Sequence, residues 1–145
     1  MHSIIASPTD GARRNVTGDI MRVLATTEQT GGAYEIFVME ALEGSGPPPH
    51  AHPWSEAYFV LEGEADVFLD GKHLTAVAGC FLQIPAGTVH THRIRSKSAK
   101  FVVVTSPRGA SHFFDEVDAE TDFDKVVGIA IKHGFTVPSP ADAQV

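Results

Sequence analysis

One cysteine, Cys80, stands in the whole chain, so no disulfide can form within it and nothing calls for an oxidising compartment. Its thiol reads as a small buried hydrophobe rather than a nucleophile. Long apolar runs are missing too: nothing approaches the ~20 consecutive residues that a membrane-spanning helix needs, so no membrane partner is expected. Basic charge is scarce. Lys and Arg number 11 against 18 Asp and Glu, a formal net charge of -7, which argues against general nucleic-acid binding because that needs a concentrated basic surface. The local exception is Arg93, Arg95, Lys97 and Lys100, in or beside a predicted strand, where basic residues protect an edge from pairing with other chains. The N-terminus has only a few mildly apolar residues before Pro8, far short of a secretory leader, so the expected location is cytoplasmic. Neither an internal repeat nor a low-complexity tract divides the chain. Its 145 residues suit one domain, long enough to bury a core without a metal or disulfide staple.

What is present is a succession of short apolar segments separated by turn residues, the pattern of an all-β sandwich or barrel. Strands are predicted over 20–25, 34–42, 57–61, 65–69, 73–77, 81–84, 89–95 and 101–105. Gly31-Gly32 and Asp70-Gly71 supply the positive φ angles of tight hairpins, and Pro85-Ala86-Gly87 redirects the chain. Pro47-Pro48-Pro49 cannot donate to a central ladder and reads as an extended entry segment. Past Pro107 the period changes. Ser111 is expected to cap a short helix over 112–117, and a second helix over 123–133 follows from Phe123, Val126, Val127, Ala130 and Ile131, with Asp122 as N-cap and Gly134 beyond its end. Its apolar stripe is expected to pack on the barrel. The chain thus divides into an N-terminal arm (1–18), a barrel (19–106), a helical segment (107–136) and a loose tail (137–145).

The ligand-capable side chains gather between residues 44 and 92. His50 and His52 are two apart, so in an extended segment both imidazoles share a face. Pro53 favours a turn that brings Glu56 back beside them on an antiparallel neighbour, and His90 follows the Pro-Ala-Gly corner at the start of another strand. Three imidazoles and a carboxylate suit one divalent transition ion per chain: Fe, Mn, Ni, Co, Cu or Zn. His2, His73 and His133 have no partner at ligand spacing. A frame of glycine and proline surrounds the set: Gly44-x5-His50-x-His52-x3-Glu56-x6-Gly63, then Gly79-x5-Pro85-x-Gly87-x2-His90.

At these residues the sequence resembles the cupin superfamily, matching all four ligand positions and the framing glycines and prolines. It departs at the end of the second motif, where the family often has Asn and this chain has Ile94, a position that is not a ligand in the family. The resemblance implies a double-stranded β-helix (jelly-roll barrel) with metal ligands His50, His52, Glu56 and His90, a small-molecule substrate inside, and a homodimer. Residues 4–16 would either lie along a neighbour's sheet edge or be disordered. Period two places His92 beside His90 on the inner face and Arg93 and Arg95 outside. His92 is then an orienting partner, a proton carrier, a replacement ligand, or simply a wall of the cavity. Tyr58 and Val60 follow Glu56 inward; Tyr58 either donates its hydroxyl to a substrate or forms an aromatic wall. Phe37, Met39, Phe101 and Val103 line the cavity in one of two registers. Trp54 either covers the mouth of the site or packs at a subunit contact.

Within the superfamily, the run Gly-Pro-Pro-Pro-His-Ala-His and the Ala-Tyr-Phe-Val-Leu-Glu-Gly strand look like the small single-domain proteins grouped with quercetin dioxygenases. The resemblance implies a metal-dependent dioxygenase or related oxidoreductase acting on a small aromatic or enolic compound, with Glu56, Tyr58 and His92 as catalytic candidates. The alternatives are a non-oxidative metal-dependent cyclase or isomerase, and a non-catalytic small-molecule-binding cupin.

Overall fold

From Ser98 to Ser106 more and less buried side chains alternate without a break, as in a strand with one face on a core. The same alternation builds most of the chain. The computed structural model describes residues 1–139, in which the elements are β1 (Ala12–Val16), β2 (Asp19–Ala25), β3 (Glu35–Leu42), β4 (Ser55–Glu62), β5 (Glu64–Leu69), β6 (Lys72–Val77), β7 (Phe81–Ile84), β8 (His90–Ile94), β9 (Ser98–Ser106), α1 (Ser111–Val117) and α2 (Phe123–Lys132). The strands form a six-stranded sheet, β1-β2-β3-β9-β4-β7, and a three-stranded sheet, β6-β5-β8. Every pairing is antiparallel. The two sheets close as a double-stranded β-helix.

Register fixes which side chains face inward. Met21, Met39, Phe101 and Val60 form one transverse row on β2, β3, β9 and β4. Phe37, Val103 and Tyr58 form the next, and Glu35, Thr105 and Glu56 the one after. Val67 and Ile94 face them from the smaller sheet and join the apolar residues of the first two rows in one core cluster. The inward register expected for Phe37, Met39, Phe101 and Val103 is therefore the one adopted.

Residues 44–50 run antiparallel beside β8 and close the barrel. Ile94 N donates to Ser45 O at 2.9 Å, and His50 and His90 exchange backbone bonds at 3.1 and 2.9 Å. The prolines thus occupy an extended segment, as their missing N–H groups require.

Three details of the connections and caps differ from the sequence reading. Residues 12–16, assigned to an arm, form β1 and pair with β2 of the same chain through a two-residue turn, Thr17-Gly18, both at positive φ. The polar stretch Arg-Arg-Asn hid this strand, because its outer face is solvated. Gly31 and Gly32 do have positive φ, but they lie in a longer loop between Ala25 and Glu35 rather than a tight hairpin. Ser111 does not cap α1 with its side chain; its backbone N donates instead to Glu35 Oε1 at 2.8 Å, so the cap comes from a distant strand. The helix stripe packs only in part: Val126 and Ala130 are buried and α2 rests on α1, whereas Phe123 and Ile131 are exposed. Asp122 caps α2 as expected, accepting from Asp124 N and Lys125 N. Of the tail, residues 140–145 lie outside the described residues.

Candidate metal centre

Three histidines and one glutamate reach the barrel interior from three places in the chain. His50 and His52 come from the segment beside β8, His90 from the start of β8, and Glu56 from β4. Their exposures are 9%, 3%, 1% and 8%. Glu56 does not return on a hairpin partner of the histidine segment, as the Pro53 turn suggested. β4 pairs with β7 and β9, residue 50 bridges to residue 90, and the acid meets the imidazoles across the barrel.

Each imidazole is oriented by its own backbone surroundings. His50 Nδ1 donates to Pro48 O at 2.9 Å, His52 Nδ1 to Trp54 O at 2.8 Å and His90 Nδ1 to Thr88 O at 2.8 Å. A carbonyl can only accept, so the proton sits on Nδ1 and Nε2 carries the free lone pair. One ligand atom from each ring lies within 4.8 Å of those of the other two. Glu56 adds Oε2 at 3.5 Å from His52 Nε2 and Oε1 at 3.6 Å from His90 Nε2. His52 Nε2, His90 Nε2 and Glu56 Oε1 are buried without a hydrogen-bond partner among the described residues. Buried polar atoms are seldom left unpaired, and these converge on one point with the donor types a transition ion takes. The residues therefore fit a divalent ion.

Charge follows the same geometry. Burial alone would raise the Glu56 carboxyl, but His52 and His90 beside it outweigh burial and hold it well below the usual carboxylate range. Burial pushes His50 down to about 3, with His90 acting in the same direction. His50 thus meets the ionised Glu56 as a neutral base.

Around this centre lie the other expected residues. His92 points inward, as period two required, and is not one of the three converging histidines. Burial lowers it to about 4, and its Nε2 has no hydrogen-bond partner among the described residues. Its ring stands 6.2 Å from Tyr58 and 6.0 Å from Phe101. Burial first, and the Glu56 charge second, raise the Tyr58 hydroxyl well above its ordinary value, so it remains a proton donor. Trp54 departs from both readings: at 1% exposure it neither covers a mouth nor faces a partner. It stacks on His52 with centroids 4.6 Å apart and planes 6° apart, with the Arg108 guanidinium 5.3 Å above its ring.

A cavity of about 120 Å³ opens from the centre, lined by His50, Glu56, Tyr58 and His92 and walled by Met21, Phe37 and Met39. Its roof is Phe113 and Phe114 of α1 together with Phe135 after α2. Sequence reasoning assigned these helices to packing alone. The Phe-Phe pair and the apolar stripe were visible, but their place over the cavity depends on tertiary docking. Asp19 also lines the cavity and was missed, because an acid next to a turn glycine looks like surface.

Comparison with known proteins agrees with this fold. Residues 37–105 match the cupin domain. The chain is 28% identical over 109 residues to quercetin 2,3-dioxygenase of Bacillus subtilis (strain 168), a match covering 74% of this chain and 32% of that protein, so it spans about a third of the relative's length. The polyketide cyclase RemF of Streptomyces resistomycificus superposes with a TM-score of 0.64 at 23% identity, over 72% of this chain and 79% of that one. KdgF of a Halomonas species gives 0.67 at 18% identity, over 77% and 99%. At these identities the two structures speak for the fold.

Proposed function

The chain is a cupin-superfamily protein, and from that premise we propose that it is a metal-dependent enzyme, a dioxygenase or related oxidoreductase acting on a small aromatic or enolic compound. The carrying observation is the convergence of one ligand atom each from His50, His52 and His90, with the Nε2 atoms of His52 and His90 facing Glu56, beside a cavity walled by Met21, Phe37 and Met39. A bound Fe, Mn, Ni, Co, Cu or Zn ion would supply a Lewis-acidic centre that takes an enolate or phenolate oxygen and, where redox-active, electron exchange with dioxygen. Glu56 offers a carboxylate that can accept the substrate's hydroxyl proton, its low pKa leaving it ionised at neutral pH. Tyr58 donates its hydroxyl to an oxygen of the bound compound, and His92, neutral at physiological pH, accepts or relays a proton at Nε2. The aromatic roof excludes water and stacks on a planar substrate.

Elemental analysis of protein purified without added metal, followed by an oxygen-uptake screen with flavonols, catechols and β-dicarbonyl compounds, tests this reading. One transition ion per chain and oxygen consumption lost in His50→Ala are expected. Turnover without oxygen uptake would instead establish the non-oxidative cyclase or isomerase, and tight binding without turnover a small-molecule-binding cupin.

The outer face of the six-stranded sheet supports a homodimer. Phe59 of β4 (44% exposed) pairs with Phe81 of β7 (63%), and Leu61 (42%) continues the patch along β4. Val102 and Val104 of β9 share that face with Ile36 of β3. An apolar stripe on a sheet face invites a second copy of itself across a twofold axis.

Among the described residues no helix is long and apolar enough to cross a membrane.

A further inference from the structure

Two buried acids take no part in the metal centre: Glu35, which caps α1, and Asp19. Asp19 opens β2 at 7% exposure and faces inward, one inward position beyond Met21. Met21 shares its row with Val60, whereas Glu56 lies two inward positions from Val60 in the other direction. The two carboxylates thus stand toward opposite ends of the barrel, yet both line the same cavity of about 120 Å³. Asp19 Oδ1 accepts from Ser45 Oγ at 2.5 Å, and among the described residues no Lys, Arg or His pairs with it. Burial pushes its carboxyl up, and the Ser45 bond offsets this only in part.

A desolvated carboxyl beside Met21, Phe37 and Met39 is destabilising unless something completes its hydrogen bonding. Ser45 completes one oxygen. Asp19 lines the cavity together with Val16, Met21, Phe37 and Met39, so the acceptor capacity it has left is available to whatever fills the cavity. A second chamber, also about 120 Å³, shares Val16, Thr17, Pro47, His50, Phe113 and Phe135 with the first and extends under α2. The combined space suits a fused or substituted ring rather than a single small acid.

We propose that Asp19, held by Ser45, is a specificity-determining acceptor that binds a hydroxyl or amino hydrogen at the end of the substrate remote from the metal centre. The substrate class narrows accordingly to ring compounds with an enol or phenol oxygen at one end and a hydrogen-bond donor at the other. This rests on reading the barrel as the substrate site.

The test compares two chelating probes on the metal-loaded protein: a hydroxynaphthoate with adjacent hydroxyl and carboxylate, and a dihydroxynaphthoate carrying one more hydroxyl on the remote ring. The added hydroxyl should tighten binding about tenfold or more, as expected of a hydrogen bond to a charged acceptor. Asp19→Ala should abolish that gain while leaving the affinity for the first probe within about twofold. Asp19→Asn keeps the shape and a weaker acceptor and should retain about a threefold gain; thermal melts confirm that it is folded. No gain in the unaltered protein, or a gain that survives Asp19→Ala, overturns the assignment while the metal-site reading stands, provided His50→Ala weakens both probes. If neither probe binds the loaded protein, both the assignment and the reading beneath it fall.

Discussion

Two glycines in one loop separate what the metal centre needs from what the chain merely tolerates. Gly44 belongs to the frame around the histidines; it has φ +83, and a methyl group there would meet nothing within 4 Å. Gly44→Ala therefore carries only the cost of the left-handed conformation, about 1–2 kcal/mol. Gly46 lies outside that frame. A Cβ on Gly46 would stand 2.9 Å from the carbonyl carbon of His92 and 3.3 Å from Arg93 Cα, and would overlap the His92 carbonyl oxygen. All three atoms are backbone, so relief requires residues 45–50 to move away from β8. That movement strains the bonds Gly44 N to Ile94 O, Ile94 N to Ser45 O, and the reciprocal pair between His50 and His90. At about 1 kcal/mol for each bond, Gly46→Ala should cost about 2–4 kcal/mol. The strained segment carries His50 and abuts His90, so metal affinity should fall at least ten- to hundredfold, the range seen when ligand-orienting contacts are lost. Urea titration of the metal-free proteins and metal content after dialysis against a competing chelator measure both effects. With m near 1.5–2 kcal/mol/M, the midpoint should fall by about 1–2.7 M for Gly46→Ala and by about 0.5–1.3 M for Gly44→Ala. Equal midpoints with full metal retention in both variants would refute the close-approach reasoning.

Three further outcomes are expected. The metal-free protein should lose stability as pH falls from about 6.5 toward 4: burial holds folded His50 near 3 and His92 near 4, so the unfolded chain takes up protons that the folded one refuses. Two such histidines give a slope of at most about 2.7 kcal/mol per pH unit, and midpoints that stay flat between pH 7 and 5 would contradict the burial of these rings. Glu35→Ala, which removes the acceptor for Ser111 N, should destabilise by about 1–2 kcal/mol, whereas Glu35→Gln keeps an acceptor and should cost less; equal midpoints in the two variants would discount the cap. Phe59→Glu places a charge in the centre of the outer apolar face and should give a monomer in sedimentation at micromolar concentration with the fold unchanged; a dimer that persists would move the interface elsewhere.

The strands were largely legible because a barrel wall imposes period two on its sequence. The segment 81–84 coincides with β7, and the other predicted strands end within three residues of the observed ones. What escaped notice depended on contacts far along the chain. β1 is mostly polar and owes its existence to pairing with β2, so no apolar period announced it. The cap of α1 comes from Glu35, 76 residues away, which no local capping pattern could indicate. Trp54 looked like a loop aromatic free to cover an opening. Stacking against His52 under Arg108 is a tertiary event, and it orients a candidate ligand rather than shielding a mouth.

The candidate site was legible to the extent that its geometry is local. Two histidines one residue apart share a face in any extended segment, and each imidazole is oriented by a carbonyl two residues from it in sequence: Pro48 for His50, Trp54 for His52, Thr88 for His90. Tautomer and aim are thus written into short stretches of chain, which is why spacing alone could point to them. The cavity is different in kind. Its roof comes from helices placed by the docking of α1 against β1, and its remote acid from a strand whose register follows from pairing with β3. Short motifs can encode how an ion is held. What the barrel accepts beside that ion is decided by Asp19, Phe113, Phe114 and Phe135, residues that no motif binds together and only the folded chain brings to one place.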